Sequence, residues 1–152
     1  RIPLRDGQRH GLARRWHRNG RLASEERYVN GRLHGICRQW SESGRLLGSY
    51  RMNRGTGIQR SWHDNGRLQT EFSTLNGDFC GRCRSWLWDG TLLADQIYLH
   101  GRLVTADEYR AAAATNPDLP KLGRATAKAT RQAVTENHIH RVFVSGLLTT
   151  PH

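Results

Sequence analysis

Four tryptophans, Trp16, Trp40, Trp62 and Trp86, recur at steps of 24, 22 and 24 residues. A glycine follows each by four residues (Gly20, Gly44, Gly66, Gly90), and a leucine stands two further on (Leu22, Leu46, Leu68, Leu92). Another glycine precedes each tryptophan by five residues, at Gly11, Gly35, Gly57 and Gly81. Self-similarity at a fixed period defines a repeat architecture, because each unit must bury its apolar side against the next. Such arrays present surfaces more readily than they build catalytic clefts.

The turn residues set the secondary structure. Asn19-Gly20, Ser43-Gly44, Asn65-Gly66 and Asp89-Gly90 mark one turn per repeat, since glycine reaches positive φ without a steric penalty. A second turn falls between repeats at Asn30-Gly31, Asn53, Asn76-Gly77 and His100-Gly101. Asn53 reads there as a left-handed residue in place of glycine. Turns at this spacing predict about eight short antiparallel strands in a meander. A three-residue loop ending in a left-handed glycine sets Trp40 opposite Leu46 and Trp62 opposite Leu68. Carried along the strands, it sets Ile36 opposite Tyr50 and Ile58 opposite Phe72. One face then reads Ile58, Arg60, Trp62, Leu68, Thr70, Phe72, and the other Gln59, Ser61, His63, Arg67, Gln69, Glu71. A slip of one residue would exchange the faces, so the amphipathic register is expected.

In that register Arg14, Arg38, Arg60 and Arg84 lie on the tryptophan face, two residues before each indole. Their expected cross-strand partners are the small residues Ser24, Gly48, Thr70 and Ala94, which leave room for guanidinium groups to lie against neighbouring rings. Two readings follow. In one, the arginine stems cover apolar sheet while their heads reach water. In the other, Arg14, Trp16, Arg38, Trp40, Arg60, Trp62, Arg84 and Trp86 form an interaction face with charges roughly 10 Å apart. A single-layer sheet also leaves an apolar face larger than soluble monomers tolerate, so a second sheet, the C-terminal segment or a partner must cover it.

At 152 residues the chain is one domain with a possible appendage. It opens on arginine, so it reads as a processed product or part of a longer chain. It shows neither a signal-peptide pattern nor an apolar run near the roughly 18 residues of a membrane helix, which favours an intracellular or virion location. Its net charge is +11, and all of its 24 basic residues except Lys121 and Lys128 are arginine. Such an excess attracts nucleic acid, acidic lipid or acidic protein; genome composition is the alternative origin. Cys80 and Cys83 form an isolated C-x-x-C, too few ligands for structural zinc. Cys37 stands two repeats from Cys83, roughly 19 Å away at four strands, so free thiols are expected.

The pattern G-x-x-R-x-W-x-x-x-G-x-L, as in Gly11 to Leu22 and Gly57 to Leu68, resembles the variant form of the MORN repeat. The resemblance covers four repeats, about residues 5–104. It departs at Asn53, in the shorter second repeat, and at Thr91, where the other repeats have arginine. It implies an elongated sheet of successive hairpins. MORN-type arrays occur in cytoskeletal scaffolds, in accessory regions of lipid kinases and methyltransferases, in bacterial antitoxin-like proteins and in large DNA viruses of amoebae. The resemblance therefore implies assembly or docking, with phospholipid binding attributed to some members.

Beyond Leu103 the period stops. Thr105-Ala-Asp-Glu108 has capping-box spacing ahead of an alanine-rich helix that Asn116-Pro117 ends. A second helix over 122–136 and a strand over 139–144 are expected to form an arm ordered by docking. His138 and His140 share one face of that strand but have no third metal ligand. His10, His17, His34 and His63 are expected to be solvent-exposed, and Glu42, Asp64 and Asp89 to cap turns. Neither a nucleophile triad nor a phosphate loop is present. The tryptophan stripe could stack bases, though periodic aromatics in a sheet more often pack.

The sequence thus predicts an all-β, single-layer elongated antiparallel meander of tandem hairpins over 1–104, with a helical or extended C-terminal arm over 105–152 and a possible terminal strand. Its expected role is non-catalytic: a structural or scaffolding protein that binds other proteins in an assembly. A virion component, such as a minor capsid or capsid-associated protein of a large DNA virus, is the setting the resemblance suggests. No cofactor, metal or small-molecule substrate is expected. The alternative is a basic binder of nucleic acid or anionic membrane lipid, and regulation of a separately encoded toxin or enzyme is a third possibility.

Overall fold

The computed structural model of the chain describes residues 2–124. A short hairpin of β1 (Leu4–Arg5) and β2 (Gln8–Arg9) precedes the sheet. There follow β3 (Gly11–Trp16), β4 (Leu22–Val29), β5 (Arg32–Leu33), β6 (Gly35–Trp40), β7 (Leu46–Asn53) and β8 (Thr56–Trp62). The second half comprises β9 (Leu68–Leu75), β10 (Asp78–Trp86), β11 (Leu92–Leu99), β12 (Arg102–Val104) and the helix α1 (Ala106–Thr115). The main sheet runs β3-β4-β6-β7-β8-β9-β10-β11-β12, with β5 paired to β4, so neighbours in sequence are neighbours in space. Every pairing is antiparallel, and the sheet does not close on itself. This is the expected all-β hairpin meander, and no helix among the described residues is long and apolar enough to cross a membrane.

The loops within repeats have the predicted form. Gly20, Gly44, Gly66 and Gly90 have φ of 82°, 89°, 89° and 88°. Each donates its N–H to the carbonyl three residues back, and each tryptophan pairs with its leucine. The turns between repeats are two-residue turns with both central residues at positive φ, as at Asn30 (49°) and Gly31 (80°). In the second repeat the turn is Arg54 (48°) and Gly55 (83°), not Asn53, which pairs with Thr56 at the strand end. The two residues this repeat lacks are missing after the turn. Two glycines bracket four residues' advance at Gly31–Gly35 and Gly77–Gly81 but only two at Gly55–Gly57. The register between β9 and β10 shifts between Phe79 and Cys83, an irregularity that the shorter β7–β8 junction does without.

Farther along the strands the expected register fails. In every repeat a bulge follows the tryptophan pair: Trp40 faces Leu46, but Gln39 faces Gly48, so Leu47 is left over. Ala23, Gln69 and Leu93 are left over in the same way. An extra residue exchanges the faces of everything beyond it. Ile36 therefore lies opposite Arg51, Ile58 opposite Ser73, and Thr70 and Phe72 join Ser61 and Gln59 on the other face. That other face is the packed one. It buries Ala13, Tyr28, Cys37, Met52, Cys83, Ala94 and Tyr98. Phe72 and Phe79 meet edge to face at 5.4 Å beside Cys83 and Tyr98.

All three cysteines are free and buried. Burial pushes the Cys83 thiol up to about 12 from its ordinary 9.0 and raises Cys37 as well. The folded chain therefore keeps its Cys83 proton to higher pH than the unfolded chain does. The stability this confers is fully present below pH 9 and is lost as pH rises from there through about 12. Denaturant titrations at a series of alkaline pH values should show that decline, and Cys83→Ser should make it shallower.

At the C-terminal end the chain returns over the tryptophan face. Thr105 accepts the Glu108 N–H while the Glu108 carboxylate accepts the Thr105 N–H, the expected capping box, and Asn116 is the C-cap. Tyr109 and Leu119 close over Cys80, Ile97 and Val104, with Leu75, Leu99 and Leu122 around them. Tyr109 donates its hydroxyl proton to the Pro120 carbonyl at 2.7 Å, and Arg82 Nε donates to the Gly123 carbonyl at 3.3 Å. Part of the apolar face is thus covered by the chain itself. Most of the expected second helix, the strand over 139–144 and the His138/His140 pair lie outside the described residues.

Candidate interaction face

Three rows of side chains cross the strands on the tryptophan face. The first holds Leu12, Arg27, Ile36, Arg51, Ile58, Ser73, Arg82 and Ile97, as cross-strand pairs taken in order along the array. The second holds Arg14–Glu25, Arg38–Ser49, Arg60–Glu71 and Arg84–Asp95. The third holds the four Trp–Leu pairs. Strand pairing sets the four arginines in one row and the four Trp–Leu pairs in the next, while the Trp62 ring reaches over Gly48, a residue paired with Gln39 on the packed side.

The arginine partners are not the small residues expected, because the bulge moves Ser24, Gly48, Thr70 and Ala94 one place away. Carboxylates stand opposite Arg14, Arg60 and Arg84 instead, and Ser49 opposite Arg38. Glu25 takes Arg14 Nε at 2.9 Å and Arg38 Nη1 at 3.6 Å, bridging the first two repeats. Glu71 takes Arg60 Nε and Arg84 Nη2, both at 2.9 Å, bridging the last two. Asp95 takes Arg82 Nη1 at 2.8 Å, in the most buried of these pairs. Partly exposed pairs of this kind contribute about 0–1 kcal/mol each, so the row shapes the surface charge more than the stability. Arg84 lies 5.8 Å from the centre of the Trp86 ring.

Gly48 instead makes room for an indole. A Cβ placed on Gly48 would stand 2.2 Å from Cζ2 and 2.3 Å from Cε2 of Trp62. The next repeat's ring therefore lies directly on the glycine backbone. Trp16, which has no earlier repeat to lie on, is 55% exposed, while Trp40, Trp62 and Trp86 are half-buried.

Each tryptophan after the first is also held by a side chain from the repeat before it. His17 Nε2 lies 2.9 Å from the Trp40 carbonyl and His63 Nε2 lies 2.8 Å from that of Trp86, which makes Nε2 the donor in both rings. The second repeat has Ser41 in the histidine column, and Gln39 does the work: its amide donates to the Trp62 carbonyl at 2.9 Å and accepts the Trp62 N–H at 3.0 Å. His10 and His34 accept backbone N–H groups through Nδ1. The four histidines are thus structural hydrogen-bonding groups, not freely solvated ones. Of the acidic turn residues, Asp89 accepts the Thr91 N–H within its own turn, whereas Asp64 reaches back to the Glu42 N–H. Gln39→Ala removes both bonds to Trp62 and should cost about 1–3 kcal/mol in urea denaturation.

Sequence reasoning missed the carboxylate row, although Glu25, Ser49, Glu71 and Asp95 each stand nine residues after a tryptophan. It also placed Ile58 on the tryptophan face without counting it, Leu12 or Ile36 among the interaction residues. Leu12, Ile36 and Ile58 are 36%, 38% and 42% exposed, and with Trp16 and Leu46 they form the apolar part of this surface that the C-terminal segment leaves open.

The family model described as MORN repeat variant matches residues 9–30, which span β3, its loop and β4. No curated protein matches the chain. Repeats of this family are generally involved in protein or membrane-lipid interaction and are typically non-enzymatic.

Proposed function

We propose that the chain is a non-catalytic scaffolding protein that docks other proteins on the arginine–tryptophan face, with residues 1–104 as the docking sheet and 105–152 as its arm. The observation that carries this reading is the row of large apolar side chains left open on a sheet whose other face is packed. Leu12, Ile36 and Ile58 are aligned there, beside the arginine row. Partner proteins bury such patches; isolated chains avoid them. The ion pairs made by Glu25, Glu71 and Asp95 engage Arg14, Arg38, Arg60, Arg82 and Arg84, which makes these arginines less available to a phosphate backbone and favours protein as the partner. Membership of a large assembly, a minor capsid or capsid-associated position in a large DNA virus among them, is the setting that the resemblance to MORN arrays supplies.

The test is recovery of partners from the native source at low and moderate salt, comparing the natural chain with Ile36→Thr/Ile58→Thr. Threonine keeps the strand preference and removes apolar surface from exposed positions, so the fold is expected to survive. A defined protein retained at moderate salt and lost with the double substitution supports the reading. Nucleic acid or lipid alone, released as salt rises, overturns it in favour of the basic-binder alternative.

A further inference from the structure

The second row alternates basic and acidic side chains across the strands, with one break. Glu25 stands between Arg14 and Arg38, and Glu71 between Arg60 and Arg84. The Met52↔Gly57 register, continued three residues along β7 and β8, sets Ser49 between Arg38 and Arg60. The column that supplies acid everywhere else supplies an exposed serine here. Arg51 stands two residues along the same strand, exposed, with no carboxylate in ion-pairing range among the described residues. Arg38 has only its 3.6 Å contact with Glu25. Arg38, Arg51 and Arg60 thus surround one uncharged position at the centre of the face, with Ile36 and Ile58 on one side and the Trp40–Leu46 pair on the other.

We propose that this centre receives an extended acidic peptide whose carboxylate takes the place of the acid that Ser49 does not provide. The inference rests on the docking role above and names its partner's chemistry. Geometry sets the motif. Rows on one face of a strand lie about 6.8 Å apart, the spacing of alternate residues in an extended peptide. A segment lying along β7 therefore presents an acid over Ser49 and a large apolar residue two positions away over the Trp40–Leu46 pair. A carboxylate between guanidinium groups makes charge-assisted, bidentate hydrogen bonds, which fix its register. The chain's own residues 125–152 do not suit this place, because they carry Lys128, Arg131 and Arg141 against the single acid Glu136.

Fluorescence anisotropy on the full chain tests the proposal. The probe is a labelled peptide with the core Val-Thr-Glu-Thr-Phe, compared with its Val-Thr-Gln-Thr-Phe counterpart. The glutamate peptide is expected to bind about tenfold tighter, the effect of one charged hydrogen-bonding group. Ser49→Asp supplies the missing acid internally, so it should abolish that preference while leaving the unfolding midpoint unchanged or higher. Ser49→Asn, similar in size and uncharged, should preserve it. Equal loss in both variants, equal affinity for the two peptides, or tighter binding of oligothymidylate than of the glutamate peptide overturns the proposal. If the peptides are not distinguished while the Ile36→Thr/Ile58→Thr chain still loses its native partner, the acid-specific inference falls and the docking role stands.

Discussion

Gly48→Val is expected to destabilise the sheet by about 3 kcal/mol, the upper range for forcing methyl groups into a filled space. Local preference argues the other way. Gly48 lies inside β7, where valine favours extended backbone by up to about 1 kcal/mol and glycine carries an entropic penalty. The sign therefore discriminates between the two effects. Packing should win, because the first atom added would stand 2.2 Å from the Trp62 ring, and the ring is held from below by the Gln39 bonds to its own backbone. Urea denaturation of the natural chain, Gly48→Val, Trp62→Ala and the double variant closes a thermodynamic cycle. The double variant should be clearly more stable than the sum of the single effects predicts, because removing the indole relieves the clash. A Gly48→Val chain as stable as the natural one would show that the ring does not lie on this glycine.

Tyr109→Ala should cost about 3–5 kcal/mol, the range for emptying a large buried aromatic site. Tyr109 is 1% exposed, packs on Cys80, Ile97, Val104 and Leu119, and ties the returning chain through the Pro120 carbonyl. Repeat arrays are marginal at their ends unless capped, so the loss should appear first in the last repeat. Cys80 reports on it directly, being fully buried beneath Tyr109. Thiol labelling in the absence of denaturant should accelerate strongly at Cys80 and little at Cys37, which lies two repeats away on the other face. Tyr109→Phe keeps the ring and loses one hydrogen bond, about 1 kcal/mol, with Cys80 still protected. Equal acceleration at Cys37 and Cys80 would mean that the whole sheet, not its end, depends on the cap.

What could be read beforehand followed from local chemistry. Asn19-Gly20 and Asn65-Gly66 declare turns, and Thr105 with Glu108 declares a helix start, because the residue types themselves satisfy the backbone there. The bulges carry no such mark. Ala23, Leu47, Gln69 and Leu93 include no glycine, proline or other turn-forming residue, so nothing in the sequence announced the shift that sends Phe72 inward and Glu71 outward. Once that shift was missed, Glu71 was assigned to the wrong face, and the acids nine residues after Trp16, Trp62 and Trp86 were not seen as partners of the arginines. Small residues were then cast as room for arginines when Gly48 is room for an indole. The Asn53 turn failed because Asn53 stands four residues before Gly57, as Gly31 does before Gly35, at the one junction that is shorter; counted forward from the tryptophans, Arg54-Gly55 falls in the same columns as Asn30-Gly31.

The junctions also sort into two kinds. A histidine reaching the next tryptophan carbonyl and a glutamate shared by two arginines both occur where the first repeat meets the second and where the third meets the fourth. Neither occurs between the second and third, where Gln39 and Ser49 stand instead. His17 and His63, Asn19 and Asn65, Arg21 and Arg67, Glu25 and Glu71, and Cys37 and Cys83 are all 46 residues apart. The structural period of this chain is accordingly a block of two tryptophan repeats, and the middle junction is the seam between the two blocks. A chain lengthened by one more block would gain one more seam, and with it a second acid-free place among arginines.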